Sequence, residues 1–484
     1  MADNTIFTAH PVTVDVLVVG AGGAGMAAAA SAAEASPDAD VLVVQKIERL
    51  GGSTTMAVGS FAAGGTDQQA TIGISDHPDF HFHDLDKFLE KYERGAGRTF
   101  YFDYRGDIYE KEDRSLRRIL VDNAAETLAW LEAIGCQFAG PFPDPPHRVP
   151  RVHTIVPGTE AYPRIFGAYF DEMGVDVVFN HQVVDLLTEG NAVTGAVVQS
   201  SESSETVDIH VRSGVILATG DYVNNQRLRA EFTSDADAPP VNEHNTGDGF
   251  LLAKEVGAGW VNMDIQRLTL RFGEPLWLTP DIPGLVDEGA IVINMNGHRF
   301  IDETVDYDQL FTSTLMQPEE SLYVLFGEQT ANRFTKWPRW ISSWPGTAWG
   351  YLDQYRDTDV LLVSESPDRI ANAIGADVTE LTKTIDRFTA AVTGDRIDNF
   401  GRTEFGAPID GNLHVLGPIR PYATITEGGL TVDESMQVLD STGSPIPGLF
   451  AAGSVAGGHH LVGHGHHHSW IFTSGRIAGR SVSN

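Results

Sequence analysis

At 484 residues, with 66 acidic against 33 basic side chains, the chain carries a formal charge of −33, which sets it against nucleic acid and anionic membrane surfaces as partners. Its single cysteine, Cys136, excludes an internal disulfide, a cysteine-ligated iron–sulfur cluster and a C-x-x-C-H haem attachment, so redox chemistry falls to an organic cofactor. Asp15 and a glycine turn interrupt the apolar stretch Val14–Ala33 and no Lys or Arg precedes Lys46, so neither signal peptide nor membrane span is read, and the cytoplasm is expected.

The β-branched run Val14–Val19 reads as a strand and the alanine-rich Met26–Ala33 as a helix. Between them lies Gly20-Ala21-Gly22-Gly23-Ala24-Gly25, a G-x-G-x-x-G at a strand-to-helix turn, which marks a dinucleotide site. Gly20 permits the turn, Gly22 lets a pyrophosphate approach the helix N-terminus, and Gly25 lets helix and strand pack closely. The next strand, Val41–Val44, ends at Gln45-Lys46, where an acid would ordinarily accept from ribose hydroxyls. Gln45 can still accept and donate, without the strength of a charged acceptor.

Gly51-Gly52-Ser53-Thr54-Thr55 and the small residues Val58–Gly65 form a loop that a ligand can approach. Asp76–Tyr109 reads as an acidic, aromatic-rich connection, Asp113–Ile134 as an amphipathic helix, and Pro141–Pro150 as a loop. Short strands follow at Val175–Phe179, Val183–Leu187, Val193–Gln199, Thr206–Val211 and Val215–Ala218, the last closing on Ala218-Thr219-Gly220. Asn245-Thr246-Gly247-Asp248-Gly249 opens a helix, Phe250–Val256. From about Trp260 to Gly417 the composition shifts towards Trp, Pro and Tyr, as in an inserted domain, with a helix at Val378–Val392. The first pattern then returns in a strand at Gly428–Val432, another at Gly448–Gly453, a histidine-rich loop at His459–His468 and a helix at Ser469–Ser481.

The order G-x-G-x-x-G, G-G-S-T, A-T-G, T-G-D-G, G-x-R-F and I-P-G-L-F-A-A-G resembles the FAD-dependent fumarate reductase and 3-ketosteroid dehydrogenase superfamily across nearly the whole chain. The resemblance implies an α/β fold: a Rossmann-like FAD-binding domain built from both chain ends, residues 1–259 and 418–484, with an inserted α+β substrate domain, 260–417. It places Gly20, Gly22, Ala24 and Gly25 at the pyrophosphate, Gln45 and Lys46 at the ribose, and Gly52, Ser53 and Thr54 at the phosphate and flavin side. Val183 and the segment Ala218, Thr219 and Gly220 fall at the adenine, and Asp248 at the ribityl chain. Gly453 and Ser454 follow the last strand, where fumarate reductases have a glutamate after A-G. Ser469 and Trp470 would offer backbone N–H groups to the flavin carbonyl. No histidine stands in Gly51–Ala57, where relatives with attached flavin carry one, so FAD is expected to be non-covalent.

The same resemblance bears on chemistry. In Gly297-His298-Arg299-Phe300-Ile301-Asp302-Glu303-Thr304-Val305-Asp306-Tyr307, Tyr307 stands where ketosteroid dehydrogenases place a tyrosine and fumarate reductases a proton-donating arginine. Gln266–Arg271 holds no fumarate-type histidine and Gly457–Ser469 no carboxylate-clamping arginine. The chain therefore looks like the ketosteroid dehydrogenase-like branch of cyclic-ketone desaturases, with a small oxo-cyclohexane, such as a 4-oxocyclohexanecarboxylate, or a 3-ketosteroid as substrate. An external acceptor (a quinone, oxygen or an electron carrier) would take the electrons. Tyr307 would remove the α-proton, and His464, Gly465 and His466 are the positional candidates for polarising the ketone.

Reduction of an enoate is the alternative, and a non-catalytic flavin carrier the reading from another class. The six histidines of His459–His468 lack evident partners on other elements, so they read as a solvated turn with no metal assigned. Trp337, Trp340, Trp344 and Trp349 would wall an apolar pocket or form a small core. Arg148, Arg151, Arg267 and Arg271 read as surface charge, or as binders of an acidic substrate group.

Overall fold

The computed structural model describes residues 12–93, 101–103, 107, 110–201, 203–233, 238–273, 276, 279–336, 351–458 and 463–483. Trp337, Trp340, Trp344, Trp349, His459 and His460 lie outside the described residues. The chain forms two compact units: one comprises Met1–Glu90, Asp103–Gln266 and Ile425–Asn484, the other Lys91–Phe102 and Arg267–Thr424.

A parallel sheet organises the first unit, in the order Asp176–Val178, Val41–Val44, Val12–Val19, Thr206–Leu217, Pro445–Ala451. Val12–Val19 is flanked on one side by the next strand of its own βαβ unit and on the other by a strand from far later in the chain. That reversal of order opens the crevice in which sheets of this type bind ligands. The expected strands Thr206–Val211 and Val215–Ala218 are one strand, Thr206–Leu217. Its first half, Thr206–His210, pairs antiparallel with Ala192–Ser200, it lies parallel to Val12–Val19 from Ile209 to Leu217, and its end also pairs parallel with Pro445–Ala451. The register shifts between Val14 and Val16, opposite Arg212–Gly214, so the apolar pattern breaks in sequence while the backbone runs on.

The helix Gly23–Ala35 is buried over nearly its whole length, which its alanines allow. Against it lies the last helix, His466–Val482, which starts three residues before the expected Ser469. A Cβ on Gly475 would sit 2.4 Å from the Ala24 carbonyl oxygen, and one on Gly479 2.2 Å from that of Ala28. Asp113 caps the helix Arg114–Ala133 by accepting from the N–H groups of Ser115 and Leu116. Asp76–Tyr109 contains a helix, Pro78–Glu93, where a connection was expected; its buried face includes His81 and Asp84, polar residues that mask the apolar period. Gly428–Val432 supplies only the two-residue strand Gly429–Leu430.

The second unit is built on a sheet of Ile291–Ile293, Leu322–Phe326, Leu413–Thr426, Gln266–Arg271 and Tyr101–Asp103, with Leu361–Ser364 also paired to Leu413–Thr426. Helices Pro367–Ile374 and Val378–Val392 bury Ile370, Ile374, Leu381 and Phe388 with Ile291, Leu325 and Val415. Among the described residues no helix is long and apolar enough to cross a membrane. Cys136 is buried, and burial pushes its thiol up to about 12, away from thiolate chemistry.

Because the clash at Gly479 is with backbone, Gly479→Ala should destabilise the first unit by ~1–3 kcal/mol, the cost of overpacking. Urea unfolding followed by tryptophan fluorescence checks it, and an unchanged midpoint would show that the two helices separate readily.

Candidate active site

The cradle for a dinucleotide is made from backbone. Gly20 turns the chain at φ +100°, where a Cβ would lie 2.5 Å from the Ala218 oxygen, and a Cβ on Gly25 would fall 1.9 Å from the oxygen of Gly20. Gly22 caps the following helix with open space where a side chain would stand, its nearest neighbour being the Gly51 oxygen at 3.9 Å. The second glycine loop locks onto this turn: Gly51 N–H donates to the Ala21 oxygen (2.8 Å) and Gly23 N–H to Thr54 Oγ1 (3.0 Å), while Gly52 packs beside Gly22. The space over Gly22 and Gly52 fits a pyrophosphate, and the helix N-terminus supplies the favourable dipole.

Ser53 is exposed, and its Oγ accepts from Asn242 Nδ2 (2.7 Å) and Asn245 Nδ2 (3.1 Å). With its lone pairs so used, the hydroxyl proton is directed outward as a donor. Asn242 escaped the sequence reading because nothing local marks it; only the fold brings it to Ser53.

Lys46 Nζ donates to Thr246 Oγ1 (2.8 Å) and pairs with Asp248 Oδ2 (3.0 Å), which also accepts from Gln182 Nε2 (3.3 Å). Lys46 and Asp248 are thus brought together at the start of the helix Asp248–Glu255, close to buried Val183 on the strand His181–Glu189. Ala218 is buried and Gly220 turns at φ +78°, while Thr219 Oγ1 is buried with no hydrogen-bond partner among the described residues.

Gln45 behaves differently from the expected ribose acceptor. Its Oε1 accepts from Ala21 N–H (3.3 Å) and its Nε2 donates to the Arg49 oxygen (2.8 Å), so the amide clamps the two glycine loops. A carboxylate could not make both bonds.

Gly453 N–H donates to Ser474 Oγ (2.9 Å), its oxygen accepts from Trp470 Nε1 (3.1 Å), and Ser454 lies in the turn Gly453–Val455. The expected N–H donors of the last helix are corrected. Ser469 N–H is already bonded to the Gly465 oxygen at 3.1 Å, inside the helix, and Trp470 lies further in. The first-turn N–H groups are those of His466, His467 and His468, with Gly465 as the cap.

The histidine loop is also corrected, since its described residues are packed against partners and not solvated. His464 N–H donates to Asp144 Oδ2 (3.0 Å) and its Nδ1 lies 3.2 Å from Asp144 Oδ1; His467 Nε2 lies 3.2 Å from Glu427 Oε1. Burial alone would raise the Asp144 carboxyl, but the histidines around it hold it down at about 2. His466 Nε2 lies 2.9 Å from His81 Nε2, and ligand atoms of His81, His147 and His466 fall within 4.8 Å of one another. That spacing would suit a metal, but Arg151 Nη1 donates to His147 Nδ1 (2.9 Å). The network therefore puts the His147 proton on Nε2, leaving that atom no lone pair for a cation. Arg151 itself is buried between Asp76 and Asp84. The three rings form a packed set of neutral imidazoles.

In the second unit, the R-F-x-D-E element is structural. Arg299 pairs with both oxygens of Glu303 (2.7 and 2.8 Å), Arg402 joins the same carboxylate at 3.2 Å, and Asp398 also meets Arg299. This buried network holds the turn that delivers Tyr307 as the first residue of the helix Tyr307–Leu315. Tyr307 is buried and its Oη accepts from Leu270 N–H at 2.7 Å. Burial pushes the phenol well up from its ordinary value, against the Leu270 N–H and the Arg271 charge. Burial likewise lowers Arg271, to about 10. The expectation of surface charge fails for Arg151, Arg267 and Arg271, which are buried; Arg148 is exposed and pairs with Asp84.

A family model described as FAD binding domain matches residues 15–465. The chain is similar to a probable fumarate reductase, Ifc3, of Shewanella frigidimarina: 29% identity over 483 residues, covering 97% of this chain and 75% of that one. It is similar to a 3-oxosteroid 1-dehydrogenase of Mycobacterium tuberculosis at 27% over 359 residues, 64% of this chain and 60% of that one. Among solved structures, the open conformation of a flavocytochrome c3 fumarate reductase superposes with a TM-score of 0.83 at 27% identity, over 99% of this chain and 80% of that one. The 3-ketosteroid Δ1-dehydrogenase of Sterolibacterium denitrificans shares the fold, with a TM-score of 0.69 at 19% identity over 97% and 99%. These relatives support the wider superfamily without singling out its ketosteroid branch.

The buried imidazoles predict an acid-side loss of stability. Burial holds His81, His147 and His466 below the ordinary value, His147 at about 4. The unfolded chain takes up these protons near ~6.5 and the folded one only far lower, so stability present above ~6.5 is lost as pH falls towards ~4. Thermal unfolding between pH 7.5 and 4.5 should show this, with a shallower decline in His147→Gln; equal slopes would show that His147 does not contribute.

Proposed function

Because the chain belongs to the FAD binding domain family, we propose that it is an FAD-dependent dehydrogenase that introduces a C=C bond next to the carbonyl of a cyclic ketone, with Tyr307 transferring the α-proton. Bound FAD supplies the acceptor for the β-hydride, and an external acceptor (a quinone, oxygen or an electron carrier) reoxidises it. The observation that carries the reading is the setting of Tyr307: a buried phenol whose oxygen receives the Leu270 N–H, beside the Arg271 charge. Both contacts favour the phenolate over the phenol, and the oxygen is fixed by a helix start and a strand backbone. The absence of histidine from Gln266–Arg271 and of arginine from Gly457–Ser469 argues against a dicarboxylate clamp of the fumarate type.

Reduction of an enoic acid is the second reading, favoured by the fumarate reductases among the relatives. The same tyrosine would then act as the acid. Its burial suits that direction, because the resting group is the neutral phenol.

Tyr307→Phe removes only the hydroxyl, so FAD binding should survive while flavin reduction by a cyclic ketone falls by ~10²–10⁴-fold. Wild-type reduction should also quicken with rising pH through the alkaline range, since burial keeps the base protonated. Stopped-flow absorbance measures both. A near wild-type rate in Tyr307→Phe would remove it from the mechanism, and faster oxidation of the reduced enzyme by fumarate than by a cyclic enone would favour the second reading.

A further inference from the structure

Asp221 follows the turn at Gly220 and is buried. Its Oδ1 accepts from Val223 N–H at 2.7 Å, and its carboxyl also accepts from the Asn245 amide. Asn245 carries the bond onward: its Nδ2 donates to Ser53 Oγ (3.1 Å), while its Oδ1 accepts from Asn242 Nδ2 (3.2 Å). Asn242 is fixed in turn, because its Oδ1 accepts from His244 N–H (2.9 Å) and its Nδ2 is left to face Ser53 (2.7 Å). One amide thus joins a buried carboxyl to a serine exposed at the glycine cradle. Burial pushes Asp221 up to about 7, against the Val223 N–H, the Asn245 amide and the Arg229 charge. Among the described residues, the charged and titratable groups acting on it are Arg229, from the helix Gln226–Phe232, and the phenol of Tyr222, which donates to the Met263 oxygen.

We propose that Asp221 is a positioning residue for the cofactor: its carboxylate, acting through Asn245, holds Ser53 as a hydrogen-bond donor to an acceptor atom of FAD. An ionised carboxyl only accepts, so it demands the N–H end of the Asn245 amide, and the second proton of that Nδ2 goes to Ser53. A protonated Asp221 puts a donor where an acceptor stood. Asn245 then relieves the conflict by turning Oδ1 towards Asp221 and Ser53, which gives up the bond from Asn242 and draws the serine proton inward. Cofactor capture is the step affected, whichever reaction Tyr307 serves. The sign of the pH dependence separates this relay from plain electrostatics. A carboxylate repels the anionic pyrophosphate, so charge alone would tighten FAD binding as Asp221 takes up a proton. The relay weakens it.

Dilution of the FAD-loaded protein at a series of pH values, with free FAD measured by its fluorescence after ultrafiltration, tests this without turnover. From pH 8.5 to pH 6 the wild-type affinity should fall by ~5–10-fold, the worth of about one hydrogen bond, as Asp221 takes up its proton. Asp221→Asn presents an N–H to Asn245 at every pH, so it should bind FAD about tenfold more weakly than the wild type at pH 8.5 and show no slope. Ser53→Ala, at an exposed position, should do the same. The double variant should bind no more weakly than either single one, because both substitutions break one chain of bonds. A wild-type affinity that is flat or rises as pH falls overturns the proposal with no variant needed. So does a wild-type slope retained in Ser53→Ala or in folded Asp221→Asn, or a double variant whose losses simply add.

Discussion

The first unit depends on backbone meeting backbone without side chains between. Gly25 closes on the Gly20 oxygen, Gly475 on that of Ala24, and Gly479 on that of Ala28. The last two contacts rise together along both chains, so the helices Gly23–Ala35 and His466–Val482 run parallel and present their N-termini on the same side. Counting back from the Ala24–Gly475 contact at ~1.5 Å per residue, the N-terminus of the last helix extends ~12 Å beyond that of the first. Two positive helix ends, staggered on one side of the sheet, suit a long cofactor with negative charge at separate points. A side chain at Gly25, Gly475 or Gly479 would force these elements apart and move the ends relative to each other.

Elements whose cause is local were legible in the sequence. The glycine turn, the strand Val41–Val44, the helix capped by Asp113 and the helix Val378–Val392 follow from periodicity, capping and the steric needs of glycine. What was not legible depends on partners remote in sequence. Gln45 reads as a weakened ribose acceptor until Ala21 N–H and the Arg49 oxygen are seen to use both ends of its amide. Ser53 gains its outward-directed proton from Asn242 and Asn245, nearly two hundred residues away. Ser469 looked like a helix start because the three histidines before it have middling helix propensity; the fold gives the first turn to them, with Gly465 at φ +83° making the entry.

Charge shows the same division. The excess of acids predicts the surface but not the interior, where buried carboxylates and arginines are shared in small networks. Arg151 ties Asp76 and Asp84 beneath the histidines, and Glu303 ties Arg299 and Arg402 beneath Tyr307. The second group explains why G-x-R-F and the acid that follows it are scaffold and not chemistry: removing one member would strand a buried charge and loosen the turn that places the tyrosine.

The histidines at the start of the last helix extend this argument to a helix terminus. A helix N-terminus disfavours positive charge, and burial does so more strongly, so both effects keep His466 neutral, as they do His468, which is held at about 3. An imidazolium at either position would compete with the helix end for any anion placed there. A neutral ring fills the volume and leaves the N-terminal field unscreened, and that of His466 also hydrogen-bonds to His81. The density of histidine in this segment therefore reflects packing around an uncharged helix start, whose N-terminal field it leaves unscreened.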